Sequence, residues 1–277
     1  MPEQPRLDLG GQSIPLLGFG TWMLEPDDAY RMVLAALKIG YRHIDTARIY
    51  KNEEAVGQAI KDSGLPRDAV FLTTKIWVDD FADGELQRAA EASMQRLGTI
   101  PNLLLLHWPK PQPSTEETVR ALNDARARGL TQAIGLSNYP SAEWRRAQAA
   151  SEAPLITNQV EYHPYLTLKA LKAAASELGS SITAWSPLAQ GKIADDPVLA
   201  EIARSHGKTP GQVTLRWLVQ QGVIAIPRTQ KESRAEENFA IFDFELSNEE
   251  MGRIHALGSP GGRIGDWLDP HFQWDAE

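Results

Sequence analysis

Four polar side chains stand at the ends of short apolar runs or just beyond them, and together they could transfer a proton. They are Asp45 after His43-Ile44, Tyr50 in the loop that follows, Lys75 after Val70–Thr74, and His107 after Leu103–Leu106. A lysine ammonium beside a tyrosine favours the phenolate and lowers the phenol's pKa. A carboxylate would hold that lysine in place, and a histidine could contact the substrate oxygen. The set predicts a tyrosine that protonates a carbonyl oxygen while a separate group delivers hydride.

These residues can meet only if the apolar runs lie side by side as strands. Eight short runs alternate with amphipathic helical stretches, which predicts an α/β fold, a closed (β/α)8 TIM barrel whose active site lies at the C-terminal strand ends. A doubly wound open sheet is the alternative. We expect a tight hairpin at Gly10-Gly11 before the barrel and extra helices after the seventh and eighth strands. The predicted strands are Leu16–Gly20, His43–Asp45, Val70–Thr74, Leu103–Leu106, Gln132–Gly135, Ile156–Gln159, Ile182–Ala184 and Val223–Ile226.

Composition limits the remaining classes of protein. The chain has 277 residues and no linker, so we predict one domain over 1–277, with an irregular tail from about residue 258. It has no cysteine, and its six histidines show no paired ligand spacing, so we expect no metal site. A net charge of −8 argues against nucleic acid and anionic membranes as partners. No signal-peptide pattern and no long apolar run occur, which predicts a cytoplasmic protein.

Aromatic residues recur at the same strand ends as the polar set. Trp22, Trp77, Trp108 and Trp185 follow or end the first, third, fourth and seventh predicted strands. Tryptophans also fill protein cores, but four at one rim favour an apolar pocket for a substrate and a cofactor.

A group of cations follows the last predicted strand. Arg228, Lys231 and Arg234 lie at the opening of a helix, and a helix N-terminus attracts anions. Because barrels commonly bind phosphate near strands seven and eight, the pattern predicts a phosphate site. The alternative is a solvated charged turn, since the acids Glu232, Glu236 and Glu237 offset these cations.

Two other templates are incomplete. The segment Gly18–Met23 lacks the third glycine of the dinucleotide-binding fingerprint. The segment Gly135–Tyr139 resembles a nucleophile elbow but lacks its final glycine. A barrel hydrolase that uses Ser137 is nevertheless kept as an alternative function, and it would need no nucleotide.

Taken in order, these motifs resemble the aldo-keto reductase family over nearly the whole chain, from Leu7 to about Leu257. Within the family they are most similar to bacterial 2,5-diketo-D-gluconic acid reductases, on account of the short length, Trp185 and the loop Leu188–Lys192. The matching segments are Gly40–Ala47 with Tyr50 and Glu53, Thr74–Trp77, Leu106–Trp108, Gly135–Asn138, Asn158-Gln159, and Ile226–Thr229 through Glu237-Asn238.

The resemblance implies reduction of aldehydes and ketones with NADPH, which leaves as NADP+. Tyr50 would be the acid, supported by Asp45, Lys75 and His107. The substrate pocket would consist of Trp22, Tyr50, Trp77, His107 and Trp108. The implied cofactor contacts are Gly20, Thr21, Trp22 and Asp45; Ser137, Asn138 and Gln159 at the carboxamide; Trp185 on the nicotinamide ring; Ser186, Leu188 and Gln190 along the pyrophosphate; Arg228 and Thr229 at the 2′-phosphate; and Arg234, Glu237 and Asn238 at the adenosine end.

The chain also departs from the family pattern. Trp185 stands where most members have tyrosine, which keeps the stacking surface, and Arg228-Thr229 replaces Lys-Ser. Arginine binds phosphate bidentately, so NADPH stays the expected cofactor. The tail from Gly261 to Glu277 does not align with the family's longer C-terminus, which leaves the carbonyl substrate open between small dicarbonyls such as methylglyoxal and keto-sugar acids such as 2,5-diketo-D-gluconate. A monomer is expected, and the rival function is a nucleotide-binding sensor or auxiliary subunit with little turnover.

Overall fold

The computed structural model describes residues 4–276 and begins with a hairpin beneath the barrel. Strands β1 (Arg6–Leu9) and β2 (Gln12–Pro15) pair antiparallel. Gly10 and Gly11 form the two-residue turn at φ +56° and +75°, backbone conformations that favour glycine. Gly10 packs directly on Ile156, which lies at the N-terminal end of a barrel strand. The hairpin therefore covers the end of the barrel opposite the predicted site.

Eight parallel strands follow in the order in which they occur along the chain. The first and last also meet: Gly18 N donates to Ala225 O, and Ala225 N donates to Leu16 O, each at 2.8 Å. The sheet is therefore a closed barrel, and the open doubly wound alternative is wrong. The strands are β3 (Phe19–Gly20), β4 (His43–Asp45), β5 (Phe71–Ile76), β6 (Leu103–Leu106), β7 (Ala133–Ser137), β8 (Leu155–Glu161), β9 (Ser181–Trp185) and β10 (Ile224–Ala225).

Ten α-helices accompany the strands in the part of the chain from residue 4 to 276. The predicted extra helices are confirmed: two lie between β9 and β10, and two follow β10. The helices are α1 (Pro26–Ile39), α2 (Glu53–Asp62), α3 (Glu85–Leu97), α4 (Thr115–Ala127), α5 (Ser141–Ala150), α6 (Lys169–Glu177), α7 (Pro197–His206), α8 (Pro210–Gln220), α9 (Glu232–Phe239) and α10 (Asn248–His255).

The barrel interior is packed in layers that support the upper rim. Lys75, Leu105 and Gly135 are paired across β5, β6 and β7, so they lie at one level. A Cβ at position 135 would lie 2.8 Å from the Leu105 Cδ2 atom, so glycine makes room there for the leucine. Leu105 is fully buried. The polar rim thus stands on a close-packed apolar floor, which restricts the movement of Lys75.

Candidate active site

A buried ion pair lies at the C-terminal ends of two neighbouring strands. Lys75 Nζ on β5 lies 2.5 Å from Asp45 Oδ1 on β4, and it also donates to Thr46 O at 2.9 Å. Both charged side chains are almost fully buried. Burial alone would lower the pKa of Lys75, but Asp45 and then Tyr50 raise it above its ordinary value. Lys75 therefore carries a fixed positive charge at the mouth of the barrel.

Tyr50 lies above this pair at the end of a short 3-10 turn, Arg48–Tyr50. Its Oη lies 3.4 Å from Lys75 Nζ, which is also 5.0 Å from the centre of the Tyr50 ring. Burial raises the pKa of Tyr50, Lys75 lowers it and Asp45 raises it, and the balance lies above the phenol's ordinary value. The expectation that Lys75 brings this pKa below its ordinary value is therefore wrong, because burial outweighs the lysine. The phenol keeps its proton and can act as a donor.

His107 follows β6 and faces the same space. Its ring centre lies 5.7 Å from that of Tyr50 and 5.2 Å from that of Trp77, both in edge-on contact. Burial, and then the charge on Lys75, holds the pKa of His107 well below its ordinary value, so the ring is neutral. Its buried Nδ1 has no hydrogen-bond partner within residues 4–276. A neutral imidazole here can make a hydrogen bond to a substrate oxygen.

A network of amide groups adjoins the ion pair. Gln159 Nε2 on β8 donates to Asp45 Oδ2 at 2.7 Å, so both carboxylate oxygens of Asp45 are occupied. Trp185 Nε1 donates to Asn138 Oδ1 at 2.8 Å, and Asn138 Nδ2 donates to His107 O at 2.9 Å. These bonds fix the indole of Trp185 at the edge of the site. Together with the Gln159–Asp45 bond they involve residues from five strand ends and hold them in place.

Within residues 4–276, none of the hydrogen-bond partners of Ser137 is a catalytic base. Its hydroxyl donates to the backbone oxygen of Gln159 at 2.8 Å and accepts from Asn138 Nδ2 at 3.0 Å. A nucleophilic serine needs a base within hydrogen-bond reach. The geometry therefore argues against the alternative of a hydrolase that uses Ser137.

The strand ends open into one cleft of about 1140 Å³. Thr21 does not line it: the side chain is fully buried and its hydroxyl donates to Asp45 O at 3.0 Å, behind the cleft wall. Lys75 does not line the cleft either, because its side chain is fully buried beneath Tyr50. The predicted residues that line the cleft are Gly20, Trp22, Asp45, Tyr50, Trp77, His107, Trp108, Ser137, Asn138, Gln159, Trp185, Ser186, Leu188, Gln190, Arg228, Thr229, Arg234, Glu237 and Asn238.

The predicted phosphate region forms the far end of this cleft, where α9 begins at Glu232. Arg228 donates from Nε to Trp22 O at 3.0 Å and from Nη2 to Met23 O at 2.9 Å. It therefore joins the loop after β3 to the loop after β10. Arg234 pairs with Glu237 at 3.0 Å. Arg228 and Arg234 thus line the open cleft beside a helix N-terminus, which suits an anionic group, whereas Lys231 of the predicted phosphate site is not among the lining residues.

Several residues that line the cleft were not predicted from the sequence, and the largest of them is Trp267 in the C-terminal tail. Its ring centre lies 6.1 Å from those of Trp22 and Trp108 and 6.3 Å from that of Trp185. The tail was predicted to be irregular, and beyond a short 3-10 turn at Pro260–Gly262 its described part is so. Its richness in tryptophan was the only available signal, and it gives no position.

Between residues 4 and 276, no group of three or more His, Asp or Glu side chains could hold a metal ion. In the same range, no helix combines the length and the hydropathy that crossing a membrane requires.

Comparison with known proteins shows the family. A model of the Aldo/keto reductase family matches residues 16–259, so the chain belongs to that family. Glyoxal reductase from Bacillus subtilis is 43% identical over 249 residues, which are 89% of this chain and 90% of that protein. A crystal structure described as a putative 2,5-diketo-D-gluconic acid reductase B superposes with a TM-score of 0.96 at 45% identity, covering 99% of this chain and 98% of its own.

A third relative was solved with a nucleotide. An aldo-keto reductase from Bombyx mori, in complex with NADP, superposes with a TM-score of 0.89 at 33% identity and 96% coverage of both chains. The family resemblance, the barrel and the N-terminal hairpin are thus confirmed.

The ion pair gives a first testable prediction. Replacing Lys75 with methionine is expected to lower the free energy of unfolding by about 3 kcal/mol, because Asp45 would stay buried without its cation. Lys61→Met, on the exposed face of α2, is the matched control. Urea unfolding followed by circular dichroism measures both, and equal midpoints for the two variants would contradict the role assigned to the pair.

This stability difference should also depend on pH. The pKa of Lys75 is raised in the folded protein, so its contribution is complete below the ordinary value of 10.5 and is lost as the pH rises through the higher folded value. The gap between wild type and Lys75→Met should therefore narrow in alkaline solution.

Proposed function

We propose that this protein is an NADPH-dependent carbonyl reductase in which Tyr50 donates the proton. The observation that carries the proposal is the buried chain Asp45–Lys75–Tyr50 beneath a neutral His107. This arrangement keeps a proton on the phenol and a positive charge beside it. Such a pair suits a reaction that develops negative charge on a substrate oxygen.

The residues lining the cleft fit a phosphorylated dinucleotide. Ser137, Asn138 and Gln159 offer amide and hydroxyl groups near the indole of Trp185, which is suited to stacking on a flat ring. Arg228 and Thr229 offer donors for a 2′-phosphate, and the start of α9 adds a favourable dipole. When bound, the nicotinamide would supply a hydride from its C4. Ser186, Leu188 and Gln190 would lie along the pyrophosphate, and Arg234, Glu237 and Asn238 at the adenosine end.

Proton transfer then follows from the positions of the side chains. As the carbonyl carbon accepts hydride, its oxygen takes the proton from Tyr50 Oη, and the product is the alcohol. The phenolate that remains lies 3.4 Å from Lys75 Nζ, whose charge stabilises it. Asp45 holds Lys75 in place, and His107 orients the carbonyl oxygen.

The proposed substrates are small dicarbonyls such as methylglyoxal, or keto-sugar acids such as 2,5-diketo-D-gluconate. The glyoxal reductase relative and the gluconate-reductase-like neighbour support this range, and the walls formed by Trp22, Trp77 and Trp108 suit flat carbonyl groups. A single domain over 1–277, a monomeric state, a cytoplasmic location and the lack of a nucleic-acid partner stay predictions.

Tyr50→Phe is the direct test of the proton donor. It should lower kcat for carbonyl reduction by a factor of about 100 to 10,000, because the hydroxyl is removed while the ring stays. NADPH affinity, measured by quenching of tryptophan fluorescence, should change little. Tyr30→Phe on α1 removes a hydroxyl remote from the cleft and should keep wild-type turnover. A Tyr50→Phe enzyme with full kcat would refute the mechanism.

The pH profile is a second test. His107 is neutral and Tyr50 protonated, because burial moves the two pKa values away from neutrality in opposite directions. We expect kcat/KM for the carbonyl to be flat from about pH 6 to about pH 9, and to fall only where Tyr50 loses its proton, above about pH 10. A reduction rate that rises or falls with a midpoint near about pH 6.5 would show a titrating histidine and contradict the assignment.

A further inference from the structure

Glu161 is a buried carboxylate that the proposed chemistry does not use. It ends strand β8 at the same rim as the ion pair, and its side chain is fully buried. His163 Nε2 lies 2.9 Å from its Oε1. A buried carboxylate needs strong hydrogen-bond donors, because removing its charge from water is costly. The other donors to Glu161 come from the far end of the chain.

Those donors belong to residues 259–276, which we name the C-terminal strap. The backbone N–H groups of Ile264 and Gly265 donate to Oε1 and Oε2 of Glu161 at 2.6 and 3.1 Å. The guanidinium of Arg263 lies 3.7 Å from the same carboxylate. One buried charge thus holds three consecutive strap residues at the barrel mouth.

The strap is also fixed on both sides of Glu161. Gly262 packs so closely on the backbone of Tyr165 that a Cβ would not fit. Near the other end, Asp275 accepts from Ser141 N at 3.0 Å and from Ser141 Oγ at 2.5 Å, and so caps the start of α5. The segment between these anchors must therefore cross the mouth of the cleft.

Trp267 is the strap residue that reaches the cleft. Its ring contacts Trp22, Trp108 and Trp185, although its own surface is 58% exposed. Gly265, which Glu161 holds, lies against Trp185: a Cβ there would come within 2.9 Å of the indole. The position of Trp267 thus depends on a backbone that Glu161 holds two residues earlier.

We propose that Glu161 is a positioning residue for substrate selection: its carboxylate fastens the strap and so sets the place of Trp267 at the substrate end of the cleft. The kinetic part of this proposal rests on the proposed reductase function. The structural part does not, because it concerns hydrogen bonds that can be measured without turnover.

Glu161→Gln is the variant that tests the anchor. The glutamine amide turns an N–H₂ group toward one of the two strap N–H donors, so one of these hydrogen bonds is lost. Amide hydrogen exchange at residues 264 and 265 should become at least about tenfold faster than in wild type. Glu152→Gln is the matched control, since Glu152 is exposed in the loop before the other end of β8. An unchanged exchange rate in Glu161→Gln would contradict the claim that Glu161 holds the strap.

Kinetics separate positioning from general stability. Glu161→Gln and Trp267→Ala should each raise KM for the carbonyl by about fivefold while kcat stays within about twofold, since the proton donor is untouched. The KM of the double variant should not exceed that of the single variant with the higher KM, because both substitutions act through the side chain of Trp267. The proposal would be overturned if the increases in KM were additive in the double variant. It would also be overturned if kcat of Glu161→Gln fell by as large a factor as its KM rose.

Ile264→Pro gives an independent approach if Glu161→Gln does not fold. It removes the N–H that donates to Oε1 and lies outside the barrel strands. The preceding residue, Arg263, already has φ −62° and ψ 135°, a conformation that suits a following proline. It should reproduce the rise in KM, and a wild-type KM would overturn the proposal. If the wild-type enzyme itself reduced no carbonyl, the proposed function would fail. The exchange measurement would still show whether Glu161 holds the strap.

Discussion

The buried pair of Asp45 and Lys75 is the interaction on which the rest of the site depends. A lysine with no exposed surface is tolerated only beside a carboxylate and further acceptors, which Asp45 and the Thr46 carbonyl supply. That requirement fixes how β4 and β5 are placed relative to each other. It also places a permanent positive charge under Tyr50, so the same interaction that makes the burial tolerable provides the electrostatics of the proposed proton donor.

The closed barrel makes this arrangement possible. Parallel strands bring the ends of β4, β5, β6 and β8 to one rim, so residues from distant parts of the sequence share one network. The hydrogen bonds of Gln159, Asn138 and Trp185 then hold that rim without contributing charge. The proposed catalytic residues therefore lie on or next to rigid strand ends, whereas the outer wall of the cleft comes from loops and from the C-terminal strap.

Much of the barrel and its polar rim could be predicted from local sequence. Apolar runs of three to five residues mark buried parallel strands, and the polar residues that end them must meet at one edge. The alternation of apolar runs with amphipathic stretches also predicted the order of the strands and the extra helices. Spacing alone could not show that Thr21 points behind the cleft wall, because a short loop allows either direction.

The remaining features of the site depend on contacts between residues distant in the chain, which no local sequence pattern indicates. Glu161 and Ile264 are more than a hundred positions apart in the chain, so their hydrogen bond leaves no local pattern in the sequence. The pKa of Tyr50 was predicted from its neighbour Lys75 alone, whereas the depth of burial, which reverses the balance, comes from the whole fold.

The most direct test of the account is nicotinamide oxidation by the purified wild-type protein, followed as the loss of absorbance of the reduced cofactor. NADPH and NADH would be supplied separately, with methylglyoxal, 2,5-diketo-D-gluconate or a simple aromatic aldehyde as substrate. Turnover with NADPH is expected to be well above that with NADH, because Arg228, which lines the cleft, is the proposed ligand of the 2′-phosphate. Tight nucleotide binding with no oxidation by any carbonyl would contradict it and favour a nucleotide sensor.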